Sequence, residues 1–342
     1  MLPLSSPFGL APMAGLTDTA FRRLVKRQGG CGLVVTEMVS AEGLVRHLDR
    51  TLEYAEFTDE ERPVAVQVFG GDPARMAHAA RIVEELGADA IDVNMGCPVP
   101  KVAKGNAGCR LMREPALAAA IVNAMCGAVR IPVTAKIRAG WNDREVNAPE
   151  VARALAAAGA AALTVHGRTA AQSYSGNSDW DLIARVAGVV SIPVFGNGDC
   201  TEPADLLARK RQSGVAGVLV GRGALRNPWI FAQAADLAAG RSRRPTTLGE
   251  RGRFLLEYIA LLLDDEPVEA AGFRHRLGRT REAADPAPSG APGRERWVVN
   301  KIRALGAWYT RGLTGGAYLR NAINHADSLP ALRASVAEFF GV

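Results

Sequence analysis

Eight short apolar runs of strand character end near Ala11, Thr36, Phe69, Asn94, Ile137, His166, Phe195 and Val220, each separated from the next by enough chain for a helix. Near-continuous apolar strands alternating with helices imply a parallel sheet covered on both faces, and eight such units imply closure into an α/β (β/α)8 TIM barrel. A doubly wound open sheet is the alternative. The helix signals agree with the spacing. Asp72 and Pro73 supply an N-cap and a first-turn proline, Met76, Ala80 and Val83 share one face, and Gly87 ends the pattern. Thr201-Glu202-Pro203 opens another helix, which Gly214 closes.

Near residue 240 the alternation stops, so residues 1–240 read as the barrel and 241–342 as a smaller helical domain reached through the linker Arg241-Ser242-Arg243-Arg244-Pro245. Leu255, Ile259 and Leu262 share one helix face there. Two further helices are predicted at about 297–311 and 317–340, the second broken near Pro330. Between them and the linker, the Pro-, Ala- and Gly-rich stretch at 283–293 buries too little apolar surface to order itself and reads as a mobile insertion.

Charge matters here by where it sits. The net charge is +6; residues 241–342 hold 16 Lys and Arg against 11 Asp and Glu, leaving 25 against 24 for residues 1–240. Between Arg274 and Arg320, 10 basic and 3 acidic residues are interleaved with Trp297, Trp308, Tyr309 and Tyr318. That mixture suits RNA with exposed bases, although charge alone reads first as a solvated arginine-rich surface. The N-terminus lacks the basic and apolar segments of a signal peptide, and the longest apolar stretch, 154–165, is too short and too rich in Ala and Gly to cross a bilayer. Five cysteines, at 31, 97, 109, 126 and 200, form no Cys-x-x-Cys pair; neither a disulfide framework nor a metal site is expected, and the chain reads as cytoplasmic, without membrane contact, and monomeric.

In a barrel, side chains at the carboxyl ends of the strands face the active site. Asn94-Met95-Gly96-Cys97-Pro98 therefore presents a thiol on a tight turn at the tip of strand four. Cys109 competes for a chemical role but lacks a strand to aim it. Gly196-Asn197-Gly198-Asp199 and Gly221-Arg222-Gly223 follow strands seven and eight, where barrel enzymes commonly hold a phosphate, and Arg222 would add a charge-assisted contact. Neither Gly-x-Gly-x-x-Gly nor Gly-x-x-x-x-Gly-Lys-[Ser/Thr] occurs, which favours a mononucleotide over a dinucleotide or a nucleoside triphosphate. Gln67, Lys136 and His166 end strands three, five and six. An anionic reduced flavin needs positive charge at its N1–C2=O edge, which Lys136 and His166 could supply, while Gln67 could hydrogen-bond the pyrimidine side of the ring. Any one of the three could equally be a satisfied core polar group.

Six ordered motifs, Ala11-Pro12-Met13-Ala14-Gly15-Leu16-Thr17-Asp18, Gln67-Val68-Phe69-Gly70, Asp92-Val93-Asn94-Met95-Gly96-Cys97-Pro98, Ala135-Lys136-Ile137-Arg138, His166-Gly167-Arg168-Thr169 and Gly196-Asn197-Gly198-Asp199, together resemble the bacterial tRNA-dihydrouridine synthases, which are FMN enzymes. The likeness covers essentially the whole barrel and extends more loosely to Trp308-Tyr309-Thr310-Arg311-Gly312 and Arg320-Asn321-Ala322-Ile323-Asn324. It implies that Pro12, Met13 and Ala14 line the FMN ring, that Gln67, Lys136 and His166 meet its polar edge, and that Asn197, Gly198, Asp199, Gly221 and Arg222 hold its phosphate. It also implies that Cys97 is the proton donor in reducing a tRNA uridine, with NADPH as reductant. A thiol suits that step, since cysteine ordinarily titrates near 8.5 and stays mostly protonated at neutral pH. Asn94 is a candidate contact to the target base or the flavin; Arg138, Arg168 and Thr169, with Gln172 and Tyr174, are candidates for gripping the uridine or adjacent RNA phosphates, although loop polarity alone explains them equally well, and Glu37 is left unassigned. The stretch at 283–293 departs from the family pattern; it reads as an RNA-touching arm or an inert loop. The alternatives are an FMN barrel acting on a free pyrimidine, of the dihydroorotate dehydrogenase kind, and a non-catalytic RNA-binding protein on a barrel scaffold.

Overall fold

A computed structural model describes residues 3–103, 105–263, 269–270, 272–277 and 292–342. Eight parallel strands run in chain order: β1 (Phe8–Leu10), β2 (Leu33–Val35), β3 (Val64–Phe69), β4 (Ala90–Met95), β5 (Val133–Arg138), β6 (Ala162–His166), β7 (Val194–Asn197) and β8 (Gly217–Val220). Each pairs with the next, β8 pairs back onto β1 with Leu10 opposite Val220, and β2 pairs with β3 through Val34 and Val64, so the sheet closes. The strands end within two residues of their predicted positions. A two-residue strand, Val39–Ser40, pairs in parallel with the carboxyl end of β3, Val39 opposite Val68.

Because successive side chains alternate across a strand, residues two apart share the barrel interior. Ala11, Val35, Ala65, Ala90 and Leu219 form a separate buried cluster inside the barrel. Two residues beyond Ala65 and Ala90 the chain places Gln67 and Asp92, so the interior turns polar toward the carboxyl end. The outer faces of the strands pack against a ring of helices in one continuous apolar core that also takes in the C-terminal helices. Asp72 caps the helix Pro73–Glu85, its side chain accepting the Arg75 N–H at 2.8 Å, and Gly214 ends Pro203–Ser213.

Beyond the barrel lie the helices Leu248–Leu263, Pro292–Tyr309, Gly316–His325 and Leu329–Phe340. The predicted break near Pro330 falls at residues 326–328, where Ser328 accepts the Ala331 N–H. These helices dock on the barrel through its first helix, Thr19–Gln28: the Phe21 ring meets Phe254 and Tyr258 edge-on, each at 6.1 Å. Burying an aromatic such as Phe254 contributes about 1.5–3 kcal/mol, which ties this corner firmly to the barrel wall. Most of the predicted insertion lies outside the described residues; Pro292 and Gly293 open a helix instead. Among the described residues, no helix is long and apolar enough to cross a membrane, and no group of three His, Cys, Asp or Glu side chains could hold a metal ion.

Candidate active site

At the carboxyl end of the barrel a single cavity of about 700 Å³ is lined by Cys97 and by all eleven side chains and loop residues assigned above to FMN. That volume lies within the range of small-molecule sites.

The wall at β1 is a turn that the chain ties to itself. The Met13 carbonyl accepts the N–H groups of Leu16 and Thr17 at 3.0 and 3.1 Å, and the Thr17 hydroxyl accepts the Met13 N–H at 2.9 Å. Pro12, Met13, Ala14 and Leu16 are thereby fixed as one side of the cavity.

The floor is a hydrogen-bonded chain across three strands. Asn94 Nδ2 donates to Gln67 Oε1 at 2.8 Å, Gln67 Nε2 donates to Asp92 Oδ2 at 2.7 Å, and Thr134 Oγ1 donates to Asp92 Oδ1 at 2.7 Å. Burial pushes the Asp92 carboxyl above its ordinary range against the pull of these donors. Gln67 is therefore locked in orientation and keeps one amide hydrogen for a ligand.

Cys97 is aimed by its neighbours. Asn94 Oδ1 accepts the backbone N–H groups of Gly96 and Cys97 at 3.2 and 2.9 Å, the Arg138 Nε donates to the Gly96 carbonyl at 2.6 Å, and the Cys97 carbonyl accepts the Cys109 N–H at 3.0 Å. The turn is held from three sides, with its thiol half-buried at the cavity wall. Cys109 is 1 % exposed and does not line the cavity, and burial pushes its thiol up. Of the two, only Cys97 can meet a ligand there.

Electrostatics revise the expected polar edge. Burial, then the adjacent Arg138 charge, lower Lys136 to about 8, with Asp92 and Cys97 pulling the other way. His166 does not supply positive charge as expected: burial and the cations Lys136, Arg138, Arg168 and Arg222 hold it far below its ordinary value, so the ring is neutral. Arg168 Nη1 lies 3.3 Å from His166 Nε2 and can only donate, which leaves the proton on Nδ1. The positive charge at this edge belongs to Lys136 and Arg138.

The expected RNA contacts divide. Asn94 and Arg138 line the cavity, but Arg138 donates to the carbonyls of Gly96, Thr169 and Ser173 and so builds the wall. Arg168 and Thr169, 2 % and 3 % exposed, do not reach the cavity at all. Arg168 instead braces the loop after β6, donating to the Ser175 and Gly176 carbonyls and, at 2.7 Å, to the Asp199 carboxylate. Thr169 exchanges hydrogen bonds with Gln172 inside the same loop.

Asp199 is consequently a brace in its side chain. Burial works against its charge, but Arg168, the Ser178 N–H at 2.7 Å and Arg222 at 3.3 Å outweigh it and hold the carboxyl below the usual range. What remains for an anion is backbone: the N–H groups of Gly198 and Asp199 donate to no described group. Gly198 has φ +128°, and a Cβ there would stand 2.2 Å from Ser178 Oγ, so only glycine fits this cradle. The cradle, Arg222, the oriented Gln67 and the Lys136–Arg138 charge fit the phosphate and the electron-rich edge of a flavin mononucleotide.

Several wall residues carried no signal of their own. Met38 follows the unassigned Glu37 at the end of β2, and Arg226 ends a short helix after β8. Trp308 and Arg311 arrive from the C-terminal helices; the loose motif Trp308–Gly312 was the available sign of them.

An anion cradle, a cationic edge and a thiol sharing the mouth of a closed parallel barrel define a (β/α)8-barrel enzyme. Residues 9–277 match the family model described as Dihydrouridine synthase (Dus). The chain is 37 % identical over 343 residues to a probable tRNA-dihydrouridine synthase of Rickettsia conorii, covering 99 % of this chain and 95 % of that one. It is 38 % identical over 332 residues to tRNA-dihydrouridine synthase B of Pseudomonas aeruginosa, covering 97 % and 92 %. A probable tRNA-dihydrouridine synthase of Rhodobacter capsulatus is 46 % identical over 265 residues, 77 % and 81 % of the two chains. The chain therefore belongs to the dihydrouridine synthase family and is an oxidoreductase. The fold has solved counterparts in TcOYE with pHBA, at TM-score 0.51 and 12 % identity over 71 % of this chain and 91 % of that one, and in histamine dehydrogenase from Rhizobium sp. 4-9, at TM-score 0.51 and 14 % identity over 75 % and 49 %.

Proposed function

We propose that this protein reduces the C5=C6 bond of uridines in tRNA to 5,6-dihydrouridine, with FMN in the barrel mouth and NADPH as the reductant. The observation that carries this reading is the meeting of Cys97 with the eleven flavin-side residues in one cavity, whose rim is completed by Trp308 and Arg311 from the C-terminal helices.

FMN, when bound, supplies the hydride that goes to uracil C6. The chain's own residues do the rest. Gly198 and Asp199 offer backbone N–H groups to a phosphate, and Arg222 adds charge beside them. Pro12, Met13 and Ala14 form an apolar wall against a flat ring. Gln67, fixed by Asp92 and Asn94, presents its remaining amide hydrogen to the ring's pyrimidine side. Lys136 and Arg138 stabilise negative charge that develops at that edge, and His166 contributes a neutral N–H donor. Hydride addition at C6 leaves C5 carrying the electron pair, and the Cys97 thiol gives its proton there. The thiolate regains a proton from water before the next cycle.

A stacked base must be extruded to reach such a cavity, at a cost of a few kcal/mol that contacts elsewhere on the RNA offset. Residues 241–342 supply those contacts as a basic tRNA-binding domain beside the catalytic barrel at 1–240. Trp297, exposed beside Arg294 and Lys301 at 4.5 and 5.5 Å, and the exposed Tyr318 suit stacking with unpaired bases. A cytoplasmic setting follows from the tRNA substrate.

The test is reconstitution. The purified protein should carry FMN and, with NADPH, convert uridine to dihydrouridine in unmodified tRNA while leaving free uridine and uracil untouched. Turnover of the free base would favour the free-pyrimidine alternative, and a colourless protein that binds RNA tightly would favour the non-catalytic one.

A further inference from the structure

Among the described residues, two arginines at the cavity rim stand without a carboxylate counter-charge. Arg226 ends the short helix Arg222–Arg226 on the barrel side, and Arg311 follows the helix Pro292–Tyr309 on the C-terminal side. They are neighbours: Gly312 has φ +79°, and a Cβ on it would lie 2.9 Å from Arg226 Nη2. The stem of Arg311 is fixed, its guanidinium lying over Trp308 at 4.3 Å and its Nε donating to the Ala307 carbonyl at 3.0 Å. Among the described residues, Arg226 makes its hydrogen bonds through its backbone, whose carbonyl accepts from Arg251 at 3.2 Å. Among the described residues neither guanidinium pairs with a carboxylate. The carboxylate on this rim, Asp199, is already engaged by Arg168 and Arg222.

The Arg226 guanidinium thus stands beside the backbone that follows Arg311, and the two uncompensated cations line one cavity mouth, where they favour an anion. Planar guanidinium forks match phosphate oxygens better than any other common anion. The Gly198–Asp199 and Gly221–Arg222 loops would hold the FMN phosphate on the reading above, and Arg226 lies a helical turn beyond Arg222. A uridine drawn into the cavity leaves its own backbone phosphates at the mouth, on the side where the C-terminal helices stand. We propose that Arg226 and Arg311 form a phosphate clasp for the RNA backbone flanking the extruded uridine. This rests on the tRNA-reducing reading above.

The experiment uses the FMN-loaded full chain as wild type, Arg226→Met, Arg311→Met and the double variant. For each, tRNA affinity is measured across a salt series, together with FMN dissociation and the rate of flavin reduction by NADPH. Each single variant should bind tRNA about 5- to 20-fold more weakly at 0.1 M salt, with the slope of log affinity against log salt shallower by about 0.7–0.9 per arginine. FMN release and the NADPH rate should stay at wild-type values. Arg311→Lys should keep the salt slope while losing part of the affinity, because the charge stays and the fork is lost. An unchanged slope in the double variant overturns the clasp, as does faster FMN release or slower NADPH reduction with tRNA binding intact, which would assign the arginines to the cofactor or the reductant. A wild-type protein without salt-dependent tRNA binding would instead refute the parent reading, and the clasp with it.

Discussion

Lys301→Met should destabilise the protein through a charge cluster that joins the C-terminal helices to the wall of the active site. Lys301 Nζ stands 2.9 Å from Asp18 Oδ2 and 3.6 Å from Glu37 Oε1, and donates to the Gly15 carbonyl at 3.0 Å. Tyr258 donates to the same Asp18 oxygen at 2.8 Å, while Asp18 Oδ1 caps the first barrel helix. Burial opposes the Lys301 charge, but Asp18 and Glu37 outweigh it and raise its pKa; burial pushes the Glu37 carboxyl up, with Lys301 pulling against it. Breaking a buried pair by removing one partner costs about 3–5 kcal/mol. Lys301 and Asp18 keep 12 % and 16 % side-chain exposure, so screening places the loss at the lower end, about 3 kcal/mol. With an unfolding entropy of roughly 2.1 cal/mol/K per residue, a chain of 342 residues should lose about 4 °C in Tm. The assay is a calorimetric melt at saturating FMN, so that ligand linkage is equal in both proteins. Adding Glu37→Gln should recover part of the loss, because the carboxylate orphaned by the first change is removed. The pH dependence has a definite sign. Without Lys301, Glu37 is raised further, and a raised carboxyl contributes stability below its unfolded value that is lost as pH rises through its folded value. The deficit should therefore be larger at pH 8 than at pH 5. A Tm within about 1 °C of wild type, or a deficit that grows on acidification, would refute this reasoning.

Lys136, lowered to about 8, should lose its proton as pH rises through that value, so tRNA reduction by the FMN-loaded enzyme should fall above pH 8; a pH–rate profile flat to pH 9.5 would show that its charge is not used. Gly198→Ala forces a Cβ to within 2.2 Å of Ser178 Oγ at a left-handed φ, so flavin content after purification should drop at least tenfold while the circular dichroism of the barrel is retained; full flavin content would remove the cradle from the phosphate site.

How much of this was legible in the sequence follows from how far each feature depends on distant chain. The strands could be read because parallel strands, buried on both faces, appear as uninterrupted apolar runs such as Gly217–Val220. The positions of Gln67, Asn94 and Lys136 at the mouth followed from strand ends and the two-residue alternation. The roles of Arg168 and Thr169 were not legible. Whether a loop side chain faces the cavity or turns behind it depends on the path of residues 167–178 and on Asp199 from another strand tip. The neutrality of His166 is likewise a collective property, set by cations from β5, the loop after β6 and the loop after β8. Trp308 and Arg311 reach the mouth only because the C-terminal helices dock on Phe21 and its neighbours, and no local pattern encodes that docking. The unassigned Glu37 acquires its role the same way, through Lys301.

The most direct test of the central claim is a single turnover of the Cys97→Ala enzyme on unmodified tRNA. The variant should retain FMN and be reduced by NADPH as fast as the wild type, because the turn is held by Asn94 and Arg138 rather than by sulfur. Formation of dihydrouridine from the reduced variant should slow by roughly 100-fold or more, the usual loss when a positioned general acid is removed. Product appearing at the wild-type rate would contradict the assignment of the proton to this thiol.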